Sequence, residues 1–500
     1  MFKKELEKMS HIKETENGAI VYDSSMDKVV DLFAQIGAMR NRPRKDKFTL
    51  FSEAYFQDPN LALKTLFYAR DCREGQGERQ TFRDMYKTLI TISQETAIDN
   101  IPNIVEFGRW DDLIDIMLDT DNNEFISKAI EGIIGRIELD MATNNPSLLG
   151  KWMPSLNTSS KETVAKAKRV CKMLGYTERD YRKMLSHLRK QINIVERQLS
   201  SKQYDKVEYE SIPSLAMLKY RNCFKTKDTD RYNEYIQSVV KGEKKINAST
   251  LYPYDIVRSY GSDDAWKYNE QLEQQWKALP NYVTKEDWNG LVVADVSGSM
   301  SSHLNGLPMD VAISLAIYIA EKTKGAFSDC FITFSERPTF VDIEPYDTLY
   351  DKIRKTARAN WGYNTDLQKV FNLILNTAIK NKASQSEMPQ QLFIITDMEF
   401  DYGSNVRGSR KTFMENIREK YHQAGYELPK LVWWNVNARN STFPMTVDEA
   451  GVQYVSGCSP VILKTLLGGE FLSPIDIVRN TVDIERYKNV KVSQKAIDIK

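Results

Sequence analysis

Apolar positions recur at helical spacing from about residue 20 to about residue 280. In residues 26–37 the side chains of Val29, Leu32, Phe33 and Ile36 share one face, and the stretch stops at Gly37. That spacing predicts a short helix closed by a glycine C-cap. Residues 60–70 read as a second helix, with Asn60 placed to cap its first turn. The series continues with predicted helices over 78–92, 110–118 and 124–141. A single long helix is predicted over 177–200, TERDYRKMLSHLRKQINIVERQLS. Short polar loops join these elements and no strict period repeats. The pattern therefore predicts an irregular helical array of the HEAT kind rather than a four-helix bundle.

Residues 281–290, NYVTKEDWNG, break this pattern, and beyond them short apolar runs alternate with helical stretches. LVVADVS (291–297), DCFITFS (329–335), QLFIITD (391–397), KLVWWNVN (430–437) and GVQYVSG (451–457) predict strands buried on both faces. Helices are predicted between them at about 307–323, 365–380, 409–424 and 459–468, and residues 383–390 form a surface loop. The alternation predicts a doubly wound, Rossmann-like sheet with helices on both faces. The fold class is thus multidomain, α followed by α/β. The tail from 471 to 500 carries no clear signal.

Composition narrows the function classes. The 41% hydrophobic and 27% charged residues match a globular chain rather than a disordered one. No apolar stretch is long enough for a membrane span, and MFKKELEKMSHIKETENG lacks the apolar segment of a secretory signal. The five cysteines (Cys72, Cys171, Cys223, Cys330, Cys458) are scattered and never spaced as CxxC. They predict free thiols in a reducing, cytoplasmic setting. Four histidines (His11, His187, His303, His422), none three to five apart, give no histidine metal site.

The net charge of +1 conceals an uneven distribution. Residues 1–150 carry 19 basic and 26 acidic side chains, whereas residues 151–260 carry 23 and 12. Lys166, Lys168, Arg169, Lys172, Arg179, Arg182, Lys183, Arg189, Lys190 and Arg197 concentrate that excess on neighbouring helical stretches. Tyr176, Tyr181, Tyr220 and Phe224 are interleaved with them. Basic groups that hold phosphates and aromatics that stack on unpaired bases suit single-stranded RNA. The plainer reading is a solvated lysine-rich face, with most of those aromatics in the core.

The sharpest chemical signal is Asp295-Val296-Ser297-Gly298-Ser299 at the end of the first buried strand. Ligands of doubly wound sheets sit beyond the carboxyl ends of strands, and hard oxygen donors gathered there suit Mg²⁺. Thr365 lies in a polar loop before a helix, and Asp397 ends the strand QLFIITD on the same predicted edge. Other candidates are weaker. In Arg73-Glu74-Gly75-Gln76-Gly77-Glu78-Arg79 two glycines precede a helix, but no strand comes before it and the lysine of a P-loop is missing. A connecting loop with Arg79 paired to a carboxylate is the expectation there. Ser456-Gly457-Cys458 has no histidine base nearby, and no catalytic acid–base pair emerges.

The metal signature is the complete pattern of a metal-ion-dependent adhesion site, and residues 289–470 resemble a von Willebrand factor A domain. The resemblance implies that Ser297, Ser299 and Thr365 ligate a Mg²⁺ or similar divalent ion directly, with Asp295 and Asp397 acting through waters. It also implies an open position for a partner's carboxylate. Asp397-Met398-Glu399-Phe400-Asp401 departs from the commonest form, in which a small residue follows the aspartate.

A helical array followed by such a domain resembles the TROVE-module proteins typified by the Ro autoantigen. The chain looks closer to a related family of viral, bacterial and plant proteins. LFYARDCREGQGER (66–79), FGRWDDL (107–113), LGKWMPS (149–155), YRKMLSHLR (181–189), LYPYDIV (251–257), VVADVSGSM (292–300), TDMEFD (396–401) and VSGCSP (455–460) carry the resemblance. It spans about residues 17 to 470, which implies a HEAT-like domain over 17–285, the A domain over 289–470 and the tail 471–500. In Ro-type proteins the helical repeats form a ring that binds structured RNAs and RNA ends. The expected function is a non-enzymatic RNA-binding scaffold, a ribonucleoprotein component, with Lys168, Arg169, Lys172, Arg182, Lys183, Arg189 and Lys190 as RNA contacts. The alternative is an adaptor or virion assembly protein whose metal grips an acidic protein partner.

Overall fold

The computed structural model describes residues 6, 8–192, 194–262, 267–283, 288–324, 327–334, 337–358, 366–401, 413–468 and 471–494. The chain divides into two compact units, each assembled from separate stretches of sequence. One comprises residues 1–43, 213–221 and 230–483; the other comprises 44–212, 222–229 and 484–500.

The first unit is built on strands. β1 (Ile12–Glu14) and β2 (Ile20–Tyr22) form a small antiparallel hairpin. β3 (Gly290–Asp295), β4 (Cys330–Phe334), β5 (Thr339–Asp342), β6 (Gln391–Thr396), β7 (Lys430–Asn435) and β8 (Val452–Ser456) form a mixed sheet in the order β5-β4-β3-β6-β7-β8. Every neighbouring pair is parallel except β4 and β5. The five apolar runs become β3, β4, β6, β7 and β8. Every residue of β3, β6 and β8 is buried, and successive side chains point to opposite faces, so both faces of these strands are covered. Trp433 and Trp434, adjacent on β7 and fully buried, anchor the two faces.

Helix Leu307–Ala320 packs against β3, β4 and β6, and helices Lys28–Ile36 and Pro474–Val482 pack against β8. The first of these helices buries every residue except Asp310, which marks it as enclosed on nearly every side. Asp27 caps helix Lys28–Ile36 by accepting from the Val29 and Val30 amides. Gly37 does close that helix, but with φ of −73° it needs no left-handed freedom. Its role is spatial: a Cβ there would lie 2.8 Å from both the Gly457 Cα and the Ser456 carbonyl oxygen. Gly37→Ala should therefore destabilise this unit by about 1–3 kcal/mol, because backbone on both sides must move. Urea unfolding of the full chain measures it, and an unchanged midpoint would refute the packing argument.

The second unit is helical. Helices Arg44–Gln57, Pro59–Arg70, Gln80–Ile92, Gln94–Asp99, Ile101–Phe107, Trp110–Leu118, Asn123–Met141, Lys161–Met173 and Glu178–Gln191 follow one another, most packed on near neighbours in sequence. Phe67, Phe82, Tyr86 and Phe107 fill its centre, with ring centroids 5.4–6.0 Å apart in successive contacts. The cap of the helix expected from Asn60 is Asp58, which accepts from the Leu61 amide, with Pro59 at the first helical position.

The helix expected over 177–200 stops at Gln191. Ile192 and Ile194 are extended, and a separate short helix covers Val195–Ser200. Three β-branched residues, Ile192, Ile194 and Val195, fall within four positions, and their restricted χ1 disfavours helix. The tail is shared out: Pro474–Val482 belongs to the sheet-bearing unit, and residues from Ile484 onward belong to the helical one. There Tyr487 donates to Asp71 at 2.9 Å, and Arg486 pairs with the same carboxylate.

Candidate functional site

The order β5-β4-β3-β6-β7-β8 reverses direction between β3 and β6. Open α/β sheets bind ligands beyond the carboxyl ends of strands at such a point. Asp295 is the last residue of β3, and Asp397 follows the last residue of β6. Thr396, the last residue of β6, donates its hydroxyl to Asp295 Oδ2 at 2.6 Å, while Asp295 Oδ1 accepts from the Ser297 amide at 2.9 Å. The Ser297 and Ser299 hydroxyl oxygens lie 3.1 Å apart, and Ser299 also donates to Asp397. Four of the five residues expected at the site thus form one hydrogen-bonded cluster. The fifth, Thr365, lies outside the described residues.

Asp295 and Asp397 are both buried. Burial, with the Asp397 carboxylate beside it, pushes Asp295 up to about 7. Burial also raises Asp397, against the opposing pull of Arg439. Among the described residues no three His, Cys, Asp or Glu side chains gather as a chelating set. A cation held here would depend on the serine hydroxyls as well as the carboxylates. An oxygen-only set of that kind suits a hard ion that keeps several waters.

Arg439 escapes notice in the sequence. It follows β7, the next strand along the same edge. Its Nη2 donates to Asp397 Oδ2 at 3.1 Å and its Nη1 to Glu16 at 2.7 Å. The one advance sign was a cation shortly after a strand adjoining β6. Glu399 is equally committed: it accepts from the Glu16 amide at 3.1 Å and from Asn440 at 3.0 Å. Thr15 donates to the Phe400 carbonyl at 2.6 Å, and Asp401 bridges to Gly18 through the backbone. Glu399 therefore anchors the segment 15–18. Met398, at φ 66°, occupies a left-handed conformation that a glycine would adopt without strain.

The basic candidates divide in the helical unit. A cavity of about 370 Å³ is lined by Ser155, Asn157, Arg182, Arg189, Lys190 and Arg197, together with Leu156, Leu185 and Ser186, and by no acidic residue. Arg189 is consumed structurally: its guanidinium donates to the carbonyls of Gly150 and Met153 and to the Ser155 hydroxyl, at 2.7, 2.8 and 2.7 Å. Arg182 and Lys190 are exposed beside it. Lys183 is exposed but does not line the cavity. On helix Lys161–Met173, Arg169 donates to the Leu118 carbonyl at 2.8 Å and Lys168 pairs with Glu178 at 3.6 Å. Lys172 on that helix is exposed. The structure thus gathers Arg182, Arg189 and Lys190, adds Arg197, and leaves Lys168, Arg169, Lys172 and Lys183 apart from them.

Comparison with known proteins defines the family. The chain belongs to the family described as a domain of unknown function, DUF2828, which matches residues 15–135 and 136–295. Residues 289–498 match a second such family, DUF7788. The uncharacterized protein L728 of Acanthamoeba polyphaga mimivirus is 30% identical over 540 residues, covering 98% of this chain and 91% of its own length. Among solved structures, the RO (RSR) protein of Deinococcus radiodurans overlaps 92% of this chain and 100% of its own, with 12% identity and a TM-score of 0.39. So loose an overlap carries no inference about fold or partners. Among the described residues no helix is long and apolar enough to cross a membrane.

Proposed function

We propose that this chain is a non-enzymatic RNA-binding scaffold, in which a HEAT-like helical array binds RNA and a von Willebrand factor A domain carries a Mg²⁺ adhesion site. The observation that carries the RNA reading is the cavity walled by Arg182, Arg189, Lys190 and Arg197 without a single acid. Cations assembled without counter-charge attract phosphates and make affinity depend on salt. The Ro-type resemblance of the sequence points the same way.

Arg182→Glu combined with Lys190→Glu should weaken binding of a single-stranded RNA. It should also flatten the dependence of log K on log salt by roughly 1.4, about 0.7 for each lost phosphate contact. Arg189 is left intact in this test because its guanidinium holds residues 150–155. Fluorescence anisotropy across a salt series measures both quantities. Unaltered affinity and slope would remove this cavity from the RNA site.

A second reading rests on the cluster at the ends of β3 and β6. There Ser297, Ser299 and Asp397, with Asp295 beneath them, offer oxygens to a Mg²⁺ that would take a partner's carboxylate in its open position, as A domains do. Capture of such a partner would be lost in chelator and indifferent to nuclease, whereas the scaffold reading requires the reverse.

A further inference from the structure

At the amino ends of the sheet strands, the edge opposite the serine–aspartate cluster, the sheet-bearing unit holds a cleft of about 790 Å³. It is bounded by residues that lead into β3, β6 and β7 and by Leu466, Leu467 and Phe471, which follow β8. The volume is that of a small-molecule site, and such sites are apolar with a few fixed polar groups. Trp288, Leu428, Leu466, Leu467 and Phe471 supply the apolar wall here.

The walls are tied to one another. The Glu427 amide donates to Gln385 Oε1 at 3.0 Å, and Tyr426 donates to the Ala383 carbonyl at 2.8 Å, so the loops that precede β6 and β7 are joined. Asn289 Nδ2 donates to the Met388 carbonyl at 3.1 Å, which adds the approach to β3. Gly290 makes room for Trp288: a Cβ there would lie 1.9 Å from the indole ring. The indole also meets Phe393 edge-on, with ring centroids 5.1 Å apart. A ligand would enter a cleft whose shape is already set, without the ordering cost that weakens binding.

Two donors in this cleft lack an acceptor. Gln391 and Lys430 are register partners on the parallel strands β6 and β7, so their side chains leave the sheet on the same face, from backbones about 5 Å apart. Gln391 is 7% exposed, and its Oε1 accepts from Trp288 Nε1 at 2.9 Å. An indole nitrogen only donates, so this contact fixes the amide: the oxygen faces Trp288, and Nε2 is left for the cleft. Among the described residues nothing accepts from that Nε2, and a donor so deeply placed is costly to leave unmatched. Nor does any acid among them pair with Lys430, whose Nζ lies 5.0 Å from the Phe471 ring centre. Glu427 is exposed on the rim and forms no ion pair with Lys430.

We propose that this cleft binds a small monocarboxylate with an apolar body. Gln391 Nε2 and Lys430 Nζ receive its two oxygens, and Trp288, Leu466, Leu467 and Phe471 receive its body. An ammonium beside an amide N–H offers a donor to each oxygen of one carboxylate, and the charged contact is the stronger of the two. Glu427 at the rim disfavours a doubly charged phosphate monoester. The site needs neither RNA nor Mg²⁺, and it lies at the other end of the strands from Asp295 and Asp397.

The test is isothermal titration calorimetry of the full chain with phenylacetate and octanoate, beside the amide of each acid and acetate. Wild type should bind both acids roughly tenfold or more tightly than their amides, which lack the charge, and than acetate, which lacks the apolar body. Lys430→Met, at an exposed position that the fold does not depend on, should weaken both acids by roughly tenfold. Gln391→Glu keeps an oxygen for the Trp288 indole and sets a second oxygen where the donor was, so it should weaken them by at least as much. Failure of both acids to bind the wild type, amides or acetate that match the acids, or undiminished affinity in Lys430→Met overturns the proposal.

Discussion

Asp112→Ala should cost the helical unit about 3–5 kcal/mol, the usual result of leaving buried charge without its partner. For a unit of this size that is a fall in Tm of roughly 6–20 °C. The reason is positional. Asp112 has no exposed surface, and its two oxygens engage two arginines, of which Arg70 is itself only 3% exposed. Its Oδ2 also accepts from the Arg109 amide at 3.0 Å. Removing the carboxylate takes from Arg70 the acid it pairs with among the described residues, leaves a helix-end amide without its acceptor, and leaves Arg83 only Asp111 and Asp115. Asp119→Ala is the proper comparison, because that side chain pairs with Arg44 and Lys87 but is 51% exposed. Solvent-screened pairs contribute at most about 1 kcal/mol. Differential scanning calorimetry of both variants decides the matter. Equal losses would show that burial adds nothing to the Asp112 network.

That network marks the limit of what the sequence alone makes legible. β3, β6, β7 and β8 were readable because strands covered on both faces are written as unbroken apolar runs. β5 was not, since Thr339, Phe340 and Asp342 are exposed on an edge and leave no such run. The end of helix Glu178–Gln191 turned on whether two isoleucines outweighed a strong amphipathic pattern. Asp295 and Asp397 were legible because strand ends, once the strands are known, fix where a carboxylate must lie. Arg439 reaches Asp397 from a loop, and Glu16 reaches Arg439 across more than 400 residues. No periodicity encodes either contact. Arg79 shows the converse: its helix was evident, but no acid among the described residues pairs with it, because Asp111 goes to Arg109, Asp112 to Arg70 and Arg83, and Asp115 to Arg83 and Lys166.

Asp295→Asn should abolish the response of the sheet-bearing unit to Mg²⁺ without harming the fold. Two carboxylates buried side by side repel one another, and Arg439 answers only one of them. The asparagine keeps an acceptor for the Ser297 amide and an amide group within reach of the Thr396 hydroxyl, so local geometry survives. It also removes the like-charge repulsion. In metal-free buffer the variant should therefore equal or exceed the wild type in stability. Added Mg²⁺ should raise the wild-type unfolding free energy by about 2.7 kcal/mol at a hundredfold excess over its dissociation constant, because a ligand held only by the folded chain stabilises it by mass action. The variant should show little or none of that gain. Chemical unfolding with Mg²⁺ and with chelator separates the two effects, whose signs differ. A wild type indifferent to Mg²⁺ would leave the serine–aspartate cluster as a structural knot at the ends of β3 and β6. A variant that still answers to Mg²⁺ would move the ion away from Asp295.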